Sequence, residues 1–158
     1  MAVDFVVRNA PGYRVATRSL TGPWPGDRAI RREFESVNGW AQKAGLRPGH
    51  WFFREFGGMS SRRRRWEMGV ELRSGKPARV AKGLSIKKFP ATKVVAVKFD
   101  PDEVSPTLVY FGVEGWMRWN QRGKKFRPNG PWREVYSGNP WKSKKAWAST
   151  EVQAPIKK

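Results

Sequence analysis

The sequence predicts an α+β fold: duplicated β-α-β-β units forming one antiparallel sheet, with two helices on one face and a central cleft. Three observations predict it. Short motifs recur in the same order about 80 residues apart. Each copy holds one stretch of helical period. Each copy closes on a stretch in which apolar residues occupy alternate positions.

Each copy opens on a proline. Ala10-Pro11 begins APGYRVATRSL and Phe89-Pro90 begins FPATKVVAVKF, the prolines standing 79 positions apart. The Val-, Ala- and Thr-rich residues after each read as a strand. In the first copy the turn Gly22-Pro23-Trp24-Pro25-Gly26 leads into a helix. Ile30, Phe34, Val37, Ala41 and Ala44 follow at spacings of 4, 3, 4 and 3, which is one helix face. Gly45 is placed to end it. In the second copy Ser105-Pro106 starts the helix, proline suiting the first helical position. Tyr110, Val113 and Met117 form its face and Gly123 its stop.

Asn38-Gly39-Trp40 in the first helix matches Glu114-Gly115-Trp116 in the second, 76 positions on. Arg47-Pro48 matches Arg127-Pro128, and Phe53-Arg54-Glu55 matches Trp132-Arg133-Glu134, each pair introducing or forming a short aromatic strand. The closing strands gather Trp66, Met68, Val70 and Leu72 on one face, and Thr150, Val152, Ala154 and Ile156 on one face. A single domain over 1–158 follows, with half one at 5–73, a Gly-, Pro- and base-containing linker at 74–83, and half two at 84–157.

The composition narrows the function. Nine Trp, nine Phe and three Tyr supply both core and the walls of a ligand pocket. With no cysteine, a disulfide scaffold, a Cys zinc site and a thiol nucleophile are excluded. A lone histidine, His50, cannot build a metal cluster, and no metal or cofactor is expected. Ser60, Ser61 and Ser149 carry no histidine signature for acyl transfer. No apolar run reaches the ~18 residues that cross a bilayer. The N-terminal residues lack the pattern of a secretory signal, so a cytoplasmic protein is expected. The formal net charge of +19 attracts polyanions.

Glu134 is the leading site candidate. Side chains two apart on a strand share a face, so Trp132, Glu134 and Tyr136 point the same way. A carboxylate between aromatics suits a cationic ligand whose body stacks on the rings. It also suits a general acid or base, the catalytic role Glu134 would hold in an enzyme. Glu55, with Trp51 and Phe53 on its face, raises the same question. Arg62, Arg63, Arg64 and Arg65, and Lys142, Lys144 and Lys145 beside Trp141 and Trp147, are candidate nucleic-acid contacts in loops.

The pattern resembles the GyrI-like, or effector-binding, domains of bacterial and archaeal regulators. Ala10-Pro11 before a strand, Thr21-Gly22-Pro23-Trp24 leading into a helix, the repeat from Leu84, and the late Trp132-Arg133-Glu134-Val135-Tyr136 strand followed by Asn139-Pro140 carry the resemblance. It covers about Val6 to Ile156. It implies a pseudo-symmetric sheet with two helices and a cleft that binds hydrophobic, often cationic, small molecules. By that resemblance the pocket glutamate is Glu134. The cleft aromatics map onto Trp132, Tyr136, Trp40, Tyr110 and Trp116, and Trp51 and Phe53 are expected beside them. Some members are sensor halves of transcription activators, some inhibit gyrase alone, and some resemble hydrolases that open strained cyclopropyl rings. This chain is more basic than that family pattern, and no helix-turn-helix precedes residue 6. Three readings stand: a small-molecule-binding module, a nucleic-acid- or gyrase-associated basic protein, and a small hydrolase using Glu134. Its expected partner is a small hydrophobic or cationic ligand, with non-specific nucleic acid as the alternative.

Overall fold

The computed structural model describes residues 3–56, 64–77, 79–123 and 125–158. In chain order its elements are β1 (Val6–Ala10), β2 (Tyr13–Thr21), α1 (Asp27–Lys43), β3 (Pro48–Phe56), β4 (Arg65–Leu72), β5 (Ser85–Phe89), β6 (Thr92–Phe99), α2 (Pro106–Arg122), β7 (Arg127–Pro128), β8 (Arg133–Tyr136), α3 (Lys144–Ala148) and β9 (Thr150–Lys157). They fall into two compact units, Gly12–Pro90 and residues 1–11 with 91–158.

In the unit Gly12–Pro90 the strands run in the order β3-β4-β2-β5, every pairing antiparallel. In the other unit the order is β8-β9-β6-β1, again antiparallel, with β7 beside β9. The two orders are the same order. β2 answers to β6, α1 to α2, β3 to β8 and β4 to β9. The remaining strand of each unit comes from across the repeat: Tyr13 pairs with Phe89, and Thr92 pairs with Ala10.

The duplicated β-α-β-β pattern of the sequence is thus present, with a different division of the chain. The chain passes between units at Pro11–Gly12 and Pro90–Ala91, so residues 74–83 lie inside one unit and are no linker between halves. The physical reason is pairing. β5 supplies the ladder that β2 lacks on its outer side, and β1 does the same for β6.

Helix α1 buries Ile30, Phe34, Val37 and Ala41 of the face its spacing predicts, while Ala44, the fifth residue of that spacing, is exposed because the helix ends at Lys43. It ends in a Schellman motif. Leu46 N–H donates to the Ala41 carbonyl and Gly45 N–H to that of Gln42, with Gly45 at φ 72°. Leu46 itself is fully buried beneath the helix end. Helix α2 starts at Ser105 with Pro106 in its first turn and stops at Gly123. Val109, Val113 and Met117 pack on Val95, Val97 and Phe99 of β6 and Val152, Ala154 and Ile156 of β9. Each of the Val, Ile, Met and Phe side chains among them contributes about 1.5–3 kcal/mol on burial.

The second face of the sheet in Gly12–Pro90 is buried too. Val15, Phe52 and Phe89 form one cluster there. Glu67, on the same β4 as the predicted Trp66–Leu72 face, is fully buried between Arg54 and Lys87. Gly69 permits the pairing with β2, since a Cβ there would sit 1.9 Å from the Ala16 carbonyl oxygen.

Candidate functional site

The site grows from two elements of one unit. Strand β8 sets Glu134 opposite Val152, whose neighbour across β9 is Val97. Val152 and Val97 belong to the core under α2, so Glu134 stands on the helix-bearing face, with Trp132 and Tyr136 two residues to either side. Helix α2 brings Tyr110 to meet them. The Tyr110 hydroxyl donates to Glu134 Oε1 at 2.6 Å, and the Tyr136 hydroxyl donates to Oε2. The Tyr110 and Trp132 rings are stacked, with centroids 5.8 Å apart and planes 16° from parallel. Tyr136 is buried, while Tyr110, Trp132 and Glu134 are half-buried.

An ionised carboxylate only accepts hydrogen bonds, so two phenols are suitable partners. Burial, then the Glu134 charge and hydrogen bond, then Tyr110, push the Tyr136 phenol well above its ordinary value of 10.0. What sets Glu134 apart is the partner it lacks. The strand glutamates Glu55, Glu67, Glu71 and Glu151 each pair with arginine, lysine or histidine. Among the described residues Glu134 has no basic partner, in a chain of net charge +19.

The other unit holds the apolar version of this arrangement. Phe34 of α1 stacks on Trp51 of β3 at 5.2 Å and 12°. Phe34 and Tyr110 stand 76 positions apart, as Trp40 and Trp116 do. Phe53 lies opposite Met68, which faces Arg18 across β4, and Arg18 and Val97 are separated by the same 79 positions as the two prolines. Ladder register therefore matches Glu134 with Phe53. The motif match pairs it instead with Glu55, one same-face step further along. Loop drift between the repeats misaligns motifs, whereas hydrogen-bonded register does not. Glu55 pairs with Arg64.

The remaining candidates separate. Trp116 is half-buried on the core of α2 and stacks on Phe126 at 6.0 Å. Trp40 is half-buried, and Trp51 is fully buried as a core residue. Phe53 meets the exposed Trp24 edge-on at 6.2 Å. Arg62 and Arg63 lie outside the described residues. Arg64 lies over the Trp66 ring at 5.0 Å, and Arg65 over the Phe56 ring at 4.1 Å. Lys142, Lys144 and Lys145 are exposed. The segment expected as a loop forms α3 at Lys144–Ala148, because the Ser143 hydroxyl accepts from Ala146 N–H and caps it. His50 Nδ1 lies 3.3 Å from Glu71, a structural contact. Among the described residues no group of acidic or histidine side chains could hold a metal, and no helix is long and apolar enough to cross a membrane.

No family model matches the chain, and no curated protein matches it. Solved structures do. EcmrR in its complex with DNA is similar at 17% identity and a TM-score of 0.76, over 99% of this chain and 58% of that one. The separate C-terminal domain of EcmrR gives 14% identity and a TM-score of 0.76, over 100% of this chain and 99% of that one. At these identities the likeness is one of fold. This chain thus spans 58% of the length of the EcmrR chain. SAV2435 bound to tetraphenylphosphonium is similar in fold at 11% identity and a TM-score of 0.52, over 98% of this chain and 94% of that one. A hydrolase from Listeria innocua matches at 10% identity and 0.59, over 96% and 91%.

Proposed function

We propose that this chain is a small-molecule-binding domain that reads a hydrophobic cation through Glu134. One observation carries the reading: a strand glutamate in a strongly basic protein is held by two tyrosine hydroxyls and has no basic partner among the described residues. A ligand cation supplies that partner. Trp132 and Tyr110 offer stacked rings beside the carboxylate, and a cation over such a face gains about 0.5–2 kcal/mol beyond the charge pairing. The net charge opposes a cation only at a distance. It is screened beyond about 10 Å at ordinary salt, while a partly buried pair at contact is screened far less. SAV2435, which shares the fold, binds tetraphenylphosphonium, a lipophilic cation. Trp116, in the same unit, is proposed as a further aromatic contact.

The test is a titration of the intact chain with tetraphenylphosphonium, followed by tryptophan fluorescence, against the neutral triphenylphosphine oxide. The reading expects the cation to bind at least roughly tenfold more tightly, about 1.4 kcal/mol. Equal affinity, or no binding of the cation, contradicts it.

A second reading draws on the same geometry. Glu134 with two phenols in hydrogen-bond reach is a set that can hold and pass a proton, so a hydrolase with Glu134 as general base is the alternative. The readings part on turnover. A binding domain returns its ligand chemically unchanged, which mass spectrometry of the recovered ligand decides.

A further inference from the structure

Helix α2 carries a second apolar face that its own unit does not cover. Leu108 is 65% exposed, Phe111 64% and Trp119 76%. With Gly115 they occupy positions i, i+3, i+7 and i+11, one stripe along the helix, opposite the buried Val109, Val113 and Met117. Phe5 extends the stripe, its ring lying 3.0 Å from the place of a Cβ on Gly112. Scattered exposed apolar residues need no explanation, but a contiguous stripe of large ones marks an interaction surface.

We propose that this stripe is the interface of a homodimer, in which α2 of one copy lies antiparallel against α2 of a second with Gly115 on the twofold axis. The stripe is self-complementary about that point. Phe111 and Trp119 lie four residues to either side of Gly115, so each Phe111 meets the other copy's Trp119, as an isologous contact requires. Gly115 has no neighbour within 4 Å of its missing Cβ, leaving room for close approach.

Charge fits the same pairing. Residues 100–122 hold four acidic side chains, Asp100, Asp102, Glu103 and Glu114, and only two basic ones, Arg118 and Arg122. This run is net acidic within a chain of +19. Asp100, Asp102 and Glu103 precede the helix while Arg118 and Arg122 lie in its second half, so antiparallel pairing brings the arginine end of one copy toward the acidic approach of the other. Helix dipoles are antiparallel in the same arrangement. The three side chains expose roughly 400 Å² of apolar surface. Two copies then bury about 800 Å², and Phe5 with the flanking Glu114 and Arg118 brings this toward the ~1,200 Å² of a small specific interface.

Sedimentation equilibrium of the intact chain tests the proposal. The average mass is expected to rise with concentration from 18.1 kDa toward twice that. Trp119→Ser should weaken association at least tenfold while leaving the urea unfolding midpoint in place at dilutions where both chains are monomeric, since that side chain is exposed in the monomer. Glu103→Arg and Arg122→Glu should each weaken it, and the double variant should restore it. Because the chain has no cysteine, Gly115→Cys gives a single thiol on the proposed axis. Diamide, which takes up the two thiol hydrogens, should join two copies of that variant through a disulfide across the axis. It should do so many-fold faster than it joins a Gln121→Cys control off the stripe. A chain that stays monomeric, a dimer indifferent to Trp119→Ser, or equal cross-linking at both positions overturns the proposal. A single-stranded oligonucleotide that quenches Trp119 in a monomeric chain overturns it as well, and makes the stripe a nucleic-acid face.

Discussion

Tyr110 of α2 and Glu134 of β8 are joined by a 2.6 Å hydrogen bond, and the residues at the matching places in the other unit, Phe34 and Phe53, have no polar group to join. The duplicated fold therefore holds one apolar and one polar copy of a single arrangement. Tyr136 donates to the second carboxylate oxygen, so Glu134 is oriented from both sides, as the proposed ligand site requires. Such pre-ordering lowers the entropy cost of binding.

Tyr136 sets an alkaline limit. Its phenol is held well above 10.0 in the folded chain, first by burial and then by Glu134. A group whose folded value is raised contributes stability that is fully present below the unfolded value and lost as pH rises above it. From about pH 10 upward the unfolding free energy should fall by as much as about 1.4 kcal/mol per pH unit from this residue. Urea unfolding across pH 8.5 to roughly 11 should show that slope in the native chain and its loss in Tyr136→Phe.

Glu67 sets an acid limit of opposite sign. Burial raises its carboxyl, but Lys87 and Arg54 outweigh burial and hold it below 4.5. Its stabilisation is present above the ordinary carboxylate range and is lost as pH falls through the folded value. Glu67→Gln strands the Arg54 and Lys87 charges and should cost on the order of 3 kcal/mol at neutral pH. The variant should also lack the part of the acid transition that Glu67 supplies. A cost under about 0.5 kcal/mol in denaturant unfolding would remove Glu67 from the account.

Phe34 measures the helix–sheet core. It is fully buried and stacked on Trp51, so Phe34→Ala should cost about 3–5 kcal/mol in chemical denaturation. A loss below about 1 kcal/mol would show that α1 does not depend on that packing.

How far the sequence reveals this site depends on where the information lies. The α1 and α2 faces are legible because helical spacing is local. The shared face of Trp132, Glu134 and Tyr136 is legible because strand alternation is local too. The strands β1 and β5 are not, since Val6–Ala10 and Ser85–Phe89 gain their identity only from partners 82–90 and 68–76 residues away. Glu67 is hidden for a related reason: alternation identifies two faces but not that both are covered. The signal for α3 is present in Ser143, three residues before Ala146, and is masked by the lysines around it. Tyr110 is legible as a helix-face residue, while its bond to Glu134 requires the register that only the sheet supplies.

The charge of +19 makes a separate expectation. Non-specific duplex DNA should bind at low salt, with affinity falling linearly in log–log form as salt rises. Replacing Lys142, Lys144 and Lys145 by Ser should flatten the slope by up to about 0.9 for each phosphate left without its lysine. Filter binding across a salt series checks this, and a chain that ignores DNA at low salt has a basic surface that serves solvation alone.

The proposed role of Glu134 in reading charge is tested by comparing Glu134→Gln with the native chain against two ligands. The substitution keeps shape and removes the charge that the Tyr110 and Tyr136 hydroxyls hold in place. Tetraphenylphosphonium and the neutral triphenylphosphine oxide are titrated into both proteins, with tryptophan fluorescence as the readout. The cation should lose at least roughly tenfold in affinity, about 1.4 kcal/mol, while the neutral ligand changes little. Equal losses for the two ligands, or an unchanged affinity for the cation, would contradict it.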